Sequence, residues 1–270
     1  MEKFSVLMSL YNKERPQFLR QSLDSIFSQS LLPTEVILIE DGPVSRELHQ
    51  VVSEYSRLYS ELKVVSLPQN VGLGNALNEG IMHCSYDIIA RMDTDDVAKP
   101  DRFKKQLEIF DFHPEYDVVG AWIDEFEDDI SNVTSIRKLP ENHLEIYEYA
   151  KKRNPINHPV VMFRKSAVVA VDSYKHFYLF EDYYLWIRLL LNGAKFYNIQ
   201  ESLLYFRSSP EMYRRRGGIS YACSESKFLW HIHRLGLVGY KRTCINLSLR
   251  FIVRVIPNVL RSWIYKKILR

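Results

Sequence analysis

The stretch Asp87–Arg102, DIIARMDTDDVAKPDR, decides the fold. Ile88, Ile89, Ala90 and Met92 make a short apolar run of strand length, and it ends in Asp93, Asp95 and Asp96. Pro100 then opens a helical pattern with Phe103 and Leu107 on one face. A buried strand therefore delivers three carboxylates to its end. Acids this close repel one another unless a counter-charge is supplied, and a divalent cation with hard oxygen preference supplies it. The competing reading is an acidic turn, in which Asp is favoured anyway and Asp96 caps the helix that follows.

Working outward, Phe4–Leu10 reads as a strand and Gln17–Gln29 as a helix, with Phe18, Leu19, Ser22, Leu23, Ile26 and Phe27 at helical spacing. Glu35–Glu40, Leu62–Leu67 and Asp87–Met92 are further strands, separated by helices over Arg46–Tyr59 and Gly74–Cys84. This alternation predicts an α/β protein with a doubly wound, mostly parallel sheet and right-handed crossovers. In such sheets ligands bind outside the carboxyl ends of the strands. The ends here are Ser9–Asn12, Asp41–Pro43, Pro68–Asn70 and Asp93–Asp96, all polar or turn-forming.

Regularity loosens after a helix at Lys99–His113. Val118–Ile123 and Val160–Arg164 read as strands, and Phe126–Ile136 as an acidic loop or edge hairpin. Leu144–Arg153 is expected to be a helix and Ser166–Val171 a short helix or turn. Glu181–Leu191 has its acids in the first turn, where the helix dipole favours them, and Gly193 closes it. Lys195–Leu204 is the last strand region. One domain is expected to about residue 205, with an appendage over 206–270.

At 270 residues and 46% hydrophobic the chain can bury a large core, and disorder is excluded. Ten of its 36 Lys and Arg follow Glu225, where there is no acid, so an acidic body carries a basic tail. Cys84, Cys223 and Cys244 are scattered and lack metal-ligand spacing, which favours a reducing compartment. No secretory leader and no run of about 18 apolar residues is evident. Gly72-Leu-Gly74 lacks the third glycine of a dinucleotide fingerprint, and Ser9–Arg15 lacks the glycines of a nucleotidyltransferase phosphate loop.

The order SLYN (9–12), EDGP (40–43), NVGLGNALNEG (70–80), MDTDD (92–96), PDR (100–102) and EDYYLWIRL (181–189) resembles the inverting glycosyltransferases of family 2, which have the GT-A fold. Within them it resembles the bacterial enzymes that build O-antigen, capsule or exopolysaccharide repeat units. The likeness covers about residues 4–207. It implies a nucleotide-sugar half over about 1–100 and an acceptor half over about 101–205. Asp41 would accept from the uracil imide of a UDP-sugar, with Leu10, Tyr11, Asn12, Asn70 and Arg207 also on the donor side. Asp93 would take the ribose hydroxyls and share with Asp95 the Mn2+ or Mg2+ that bridges the diphosphate. Asp182 would be the general base, with Glu181, His158 and Trp186 toward the acceptor. Leu77 stands where the family usually has Arg in an A-R-N pattern, which leaves one donor contact in doubt. The Q-x-x-R-W motif of processive members is absent, so one sugar per encounter is expected.

The subgroup further implies transfer of a hexose, glucose or galactose, to a GlcNAc-diphosphate-undecaprenol type of acceptor at the cytoplasmic face of the bacterial inner membrane. A membrane-docked nucleotide-sugar-binding protein without turnover is the alternative. Leu247–Ile268 sets apolar clusters beside Arg250, Arg254, Arg261, Lys266 and Lys267, with Pro257 dividing two short amphipathic helices. Such a tail suits an anionic membrane surface, peripherally bound; a helical pair packed on the body is the competing reading. No nucleic-acid motif accompanies the charge. The basic loop Arg214–Ser220 reads equally as a diphosphate clamp or as surface.

Overall fold

The computed structural model describes residues 2–209 and 218–255. Strands β1 (Phe4–Leu10), β2 (Glu35–Glu40) and β4 (Ile88–Asp93) lie side by side near one end of the sheet, with β3 (Leu62–Ser66) at its edge. β1 pairs in parallel with β2 and β4, and β2 with β3. Both faces of β1 and β2 are covered, which is why their sequences are near-continuous apolar runs without polar alternation. Helices α1 (Pro16–Phe27), α2 (Arg46–Leu58) and α3 (Leu73–His83) make the crossovers. α3 lies tight on the sheet at Gly80, where a β-carbon would come 2.2 Å from Leu7 Cδ1.

Register explains the site. Ser9 pairs with Asp93 and Leu10 with Glu40, so the segments after β1, β2 and β4 leave the sheet at one level. The second half is mixed: β8 (Met162–Arg164) runs antiparallel between β4 and β6 (Val118–Phe126). β9 (Phe196–Arg207) runs parallel to β6, and the short β5 (Val97–Ala98) is antiparallel to β9 at Leu204 and Tyr205. β7 (Val133–Arg137) completes the expected edge hairpin on β6. The strand expected over Val160–Arg164 begins only at Met162, because His158–Val160 forms a 3-10 turn. α4 (Arg102–Phe112), α5 (His143–Ala150) and α6 (Lys165–Ala170) fill the connections.

α7 (Glu181–Leu191) is buried on two faces. Leu185, Trp186 and Leu189 enter the core that holds Leu7, Ile39 and Phe163, while Tyr183 and Ile187 join a separate cluster with Phe228, Leu229 and Ile232. The latter residues belong to α8 (Ile219–Arg234), against which α9 (Tyr240–Val255) packs. The described part of the C-terminal segment is thus a helical pair seated on the body, and β9 runs past residue 205 to Arg207. Residues 214–217 of the basic loop and the tail beyond 255 lie outside the described residues. Among the described residues no helix is long and apolar enough to cross a membrane.

Candidate active site

Carboxylate oxygens of Asp93, Asp95 and Asp96 all lie within 4.8 Å of one another at the end of β4. Burial, then repulsion from Asp93, pushes Asp95 up to about 7, and burial with Asp95 and Asp93 raises Asp96 well above the carboxylate range. Asp96 does not cap α4, whose N-cap is Asp101; its Oδ1 accepts the backbone N–H of Arg207 at 2.8 Å. The returning strand β9 reaches this carboxylate first. Asp96 Oδ2 is buried and has no protein partner.

A fourth acid, Glu14, comes from the segment after β1. Thr94 Oγ1 donates to Glu14 Oε2 at 3.0 Å, and burial raises the Glu14 pKa with Asp93 adding to the effect. Mutually repelling, desolvated carboxylates and an orphaned buried oxygen form a hard-oxygen donor set that fits Mn2+ or Mg2+. Protein cations share the compensation. Buried Arg91 donates to Asp93 Oδ1. Arg102 donates to the Arg91 carbonyl at 2.6 Å and is lowered to about 9 by burial and by the Arg91 charge. The Arg207 guanidinium, held over the rings of Phe18 and Phe126, donates to the Asp95 carbonyl at 2.9 Å and to Gln21 at 2.6 Å.

The acidic segment rests on a polar stripe of α1 and the residues just after it. Ser22 Oγ donates to the Asp93 carbonyl, Ser25 Oγ accepts the N–H of Ala98, and Gln29 Nε2 donates to the Lys99 carbonyl. Apolar periodicity passes over such a stripe, although buried Ser, Ser and Gln spaced three and four apart on one helical face is its signature.

Asp41 is 4% exposed and clamps the next turn: its Oδ1 accepts the Val71 N–H at 2.7 Å, and its Oδ2 accepts from Gly72 N–H and Asn70 Nδ2. Gly42, at φ +84°, lets the strand end turn against Asn70, whose nitrogen a β-carbon would meet at 2.5 Å. Tyr11 and Asn12 are exposed on the same rim. Leu10 is different: its side chain is fully buried and its carbonyl accepts from Asp41 N–H, so it faces the core and not a donor.

Asp182 enters from α7. Asn154 Nδ2 donates to its Oδ2 at 2.6 Å. Tyr174 is buried, and its backbone is tied to Asn78 by two bonds of 2.8 Å. Burial raises the Tyr174 phenol; the Arg91 charge opposes this, while Asp182 and Asp93 add to it. One hydroxyl thus feels both carboxylates. Tyr174 Oη lies 2.8 Å from His158 Nε2, and burial followed by the Arg91 charge keeps this imidazole far below its usual pKa, hence neutral. Trp186, expected toward the acceptor, is fully buried behind His158 with ring centroids 6.0 Å apart; it backs the wall and does not line it. Glu181, half-buried against Gly74, has a raised pKa from burial, with Asp182 adding. Nothing local in the sequence distinguishes Glu14, Arg91 and Tyr174, whereas Asn154 opens the segment NPINHPVVMFRK (154–165), which resembles the subgroup's stretch before the acidic helix start.

A curled α/β sheet with an acidic cluster at the end of β4 is the architecture of a GT-A glycosyltransferase. The family model of glycosyl transferase family 2 matches residues 5–173, and the chain belongs to that family. It is 40% identical over 268 residues to the UDP-Gal:alpha-D-GlcNAc-diphosphoundecaprenol beta-1,3-galactosyltransferase of Escherichia coli, covering 99% of this chain and 97% of the relative. It is 37% identical to the amylovoran biosynthesis glycosyltransferase AmsE of Erwinia amylovora, covering 98% of each. The fold is similar to that of S. aureus TarS 1-349 in complex with UDP-GlcNAc, with a TM-score of 0.65 at 17% identity over 84% of this chain and 66% of that one.

Proposed function

We propose that the protein transfers one galactose from UDP-galactose, with inversion, to a GlcNAc-diphosphate-polyprenol acceptor during synthesis of a bacterial surface polysaccharide. The observation that carries the mechanism is the cluster of Asp93, Asp95 and Asp96 carboxylates within 4.8 Å of one another at the end of β4, with Asp182 held separately by Asn154. The full-length likeness to a galactosyltransferase of that specificity supports the substrates. The acceptor is lipid-linked, so the enzyme works peripherally at the cytoplasmic face of the inner membrane.

Inversion needs a single base. The acceptor hydroxyl oxygen bonds to the anomeric carbon while its proton passes to Asp182, and the bond from that carbon to the UDP oxygen breaks on the opposite face. Asn154 holds the carboxylate for this transfer. Asp41 fixes the 70–72 turn beneath the nucleotide and keeps one Oδ1 lone pair for the uracil imide. Asp93 and Asp95 would hold Mn2+ or Mg2+, which when bound stabilises the charge developing on the leaving diphosphate. One sugar is added per encounter.

The test is incubation with UDP-galactose or UDP-glucose, Mn2+ and a short-chain GlcNAc-diphosphate lipid, reading UDP release and the product's anomeric configuration. Production of a β-galactoside is expected. An α-linked product rules out single-step inversion, and a preference for UDP-glucose rules out the donor.

A further inference from the structure

The C-terminal helix pair turns one face inward and leaves another without a partner among the described residues. Phe228, Leu229 and Ile232 of α8 are buried, while Lys227, Trp230 and Arg234 follow at three- and four-residue spacing on its exposed side. The Trp230 ring meets the exposed Tyr240 ring at the start of α9, centroids 6.4 Å apart. α9 continues the exposed side with Lys241, Ile245 and Leu249, the last two 58% and 59% exposed. Two other cations of the pair are spent internally, Arg242 on Glu148 and Arg250 on the buried Glu225. No acid follows Glu225 in the chain.

The same helices brace the candidate base. Phe228 packs on Phe180 and on Tyr183, with ring centroids 4.8 and 5.0 Å away, and these two residues flank Glu181 and Asp182. Whatever holds α8 therefore holds the Asp182 end of the cleft.

We propose that the face formed by Lys227, Trp230, Arg234, Tyr240, Lys241, Ile245 and Leu249 docks on an anionic lipid bilayer and sets Asp182 at a fixed height above the headgroups. Aromatic rings beside aliphatic side chains suit the headgroup boundary, and the flanking cations are attracted to anionic lipid. This deepens the lipid-linked acceptor reading and rests on it.

The experiment is flotation of the full chain with phosphatidylglycerol-containing or pure phosphatidylcholine vesicles at low and high salt, alongside turnover of two acceptors, one water-soluble and one vesicle-embedded. Binding to the anionic vesicles is expected, at least tenfold weaker at 0.5 M salt and at least tenfold weaker in Trp230→Glu/Leu249→Glu and in Lys227→Glu/Lys241→Glu. Both variants should keep the wild-type melting temperature and the wild-type rate on the soluble acceptor, and lose rate only on the embedded one. The proposal is overturned if the wild-type chain ignores anionic vesicles. It is also overturned if the variants bind as the wild type does, which would put the contact in residues 256–270. A self-association that the variants abolish would assign the face to a second copy and overturn it too. Vesicle binding without turnover of either acceptor would instead sink the acceptor reading and leave the docking in place.

Discussion

Asn154 donates its side-chain amide to Asp182 Oδ2 at 2.6 Å, and the Tyr183 N–H occupies Asp182 Oδ1 at 2.7 Å. One partner on each oxygen fixes the plane of the carboxylate and leaves each a lone pair for an incoming proton.

Asp182→Asn keeps the shape and removes the proposed proton acceptor. Its kcat should fall by about 10²–10⁴-fold, the range of general-base catalysis, with the Kd for UDP unchanged. Asn154→Ala leaves the proposed base mobile and should lower kcat by a smaller factor without altering UDP binding. Steady-state kinetics with calorimetric UDP titration checks both.

The acidic cluster should respond to metal. Ion binding at about 100 times its dissociation constant stabilises a protein by about 2.7 kcal/mol, so Mn2+ should raise the melting temperature of the wild type. Asp95→Asn should abolish that rise and, by relieving repulsion, melt higher than the wild type in the absence of metal. Thermal unfolding with and without Mn2+ reads both effects.

Two partly buried, desolvated groups give opposite pH dependences in the metal-free protein. Asp95 is raised to about 7, so the folded state keeps its proton longer than the unfolded chain, and stability is lost as pH rises from about 4 through 7. His158 is lowered from 6.5, so its contribution is fully present above that value and is withdrawn as pH falls below it. In His158→Gln the loss of stability between pH 6.5 and pH 5 should be shallower than in the wild type. Melting curves across that window that superimpose would refute the assignment.

Gly42→Ala should cost about 2–4 kcal/mol, combining the left-handed backbone penalty with overpacking against Asn70. Because Asp41 and the 70–72 turn are tied together there, UDP affinity should fall as well. Urea unfolding and UDP titration measure the two losses separately.

Much of the frame was legible in the chain alone. The strands Phe4–Leu10 and Glu35–Glu40 and the helix Glu181–Leu191 occupy the residues their patterns indicate, because a run buried on both faces must be apolar throughout and a two-acid start marks a helix dipole. Asp93 and Asp95 were visible for a similar reason: carboxylates crowded at a strand end are costly without a counter-charge. The order of the motifs carried the rest of the family likeness.

What the sequence by itself determined is this set of elements and the acids at their ends. Only the tertiary structure decided which of them meet. Glu14 joins Thr94 across eighty positions, Arg207 joins Asp96 across 111, and Asn154 meets Asp182 from a separate segment. It also sent Leu10 and Trp186 into the core and turned Asp96 toward Arg207, not the helix after it. Local patterns record whether a position is buried and how its backbone turns. The identity of a buried polar partner is set by strand register and helix packing, which bring together residues that share no local signal.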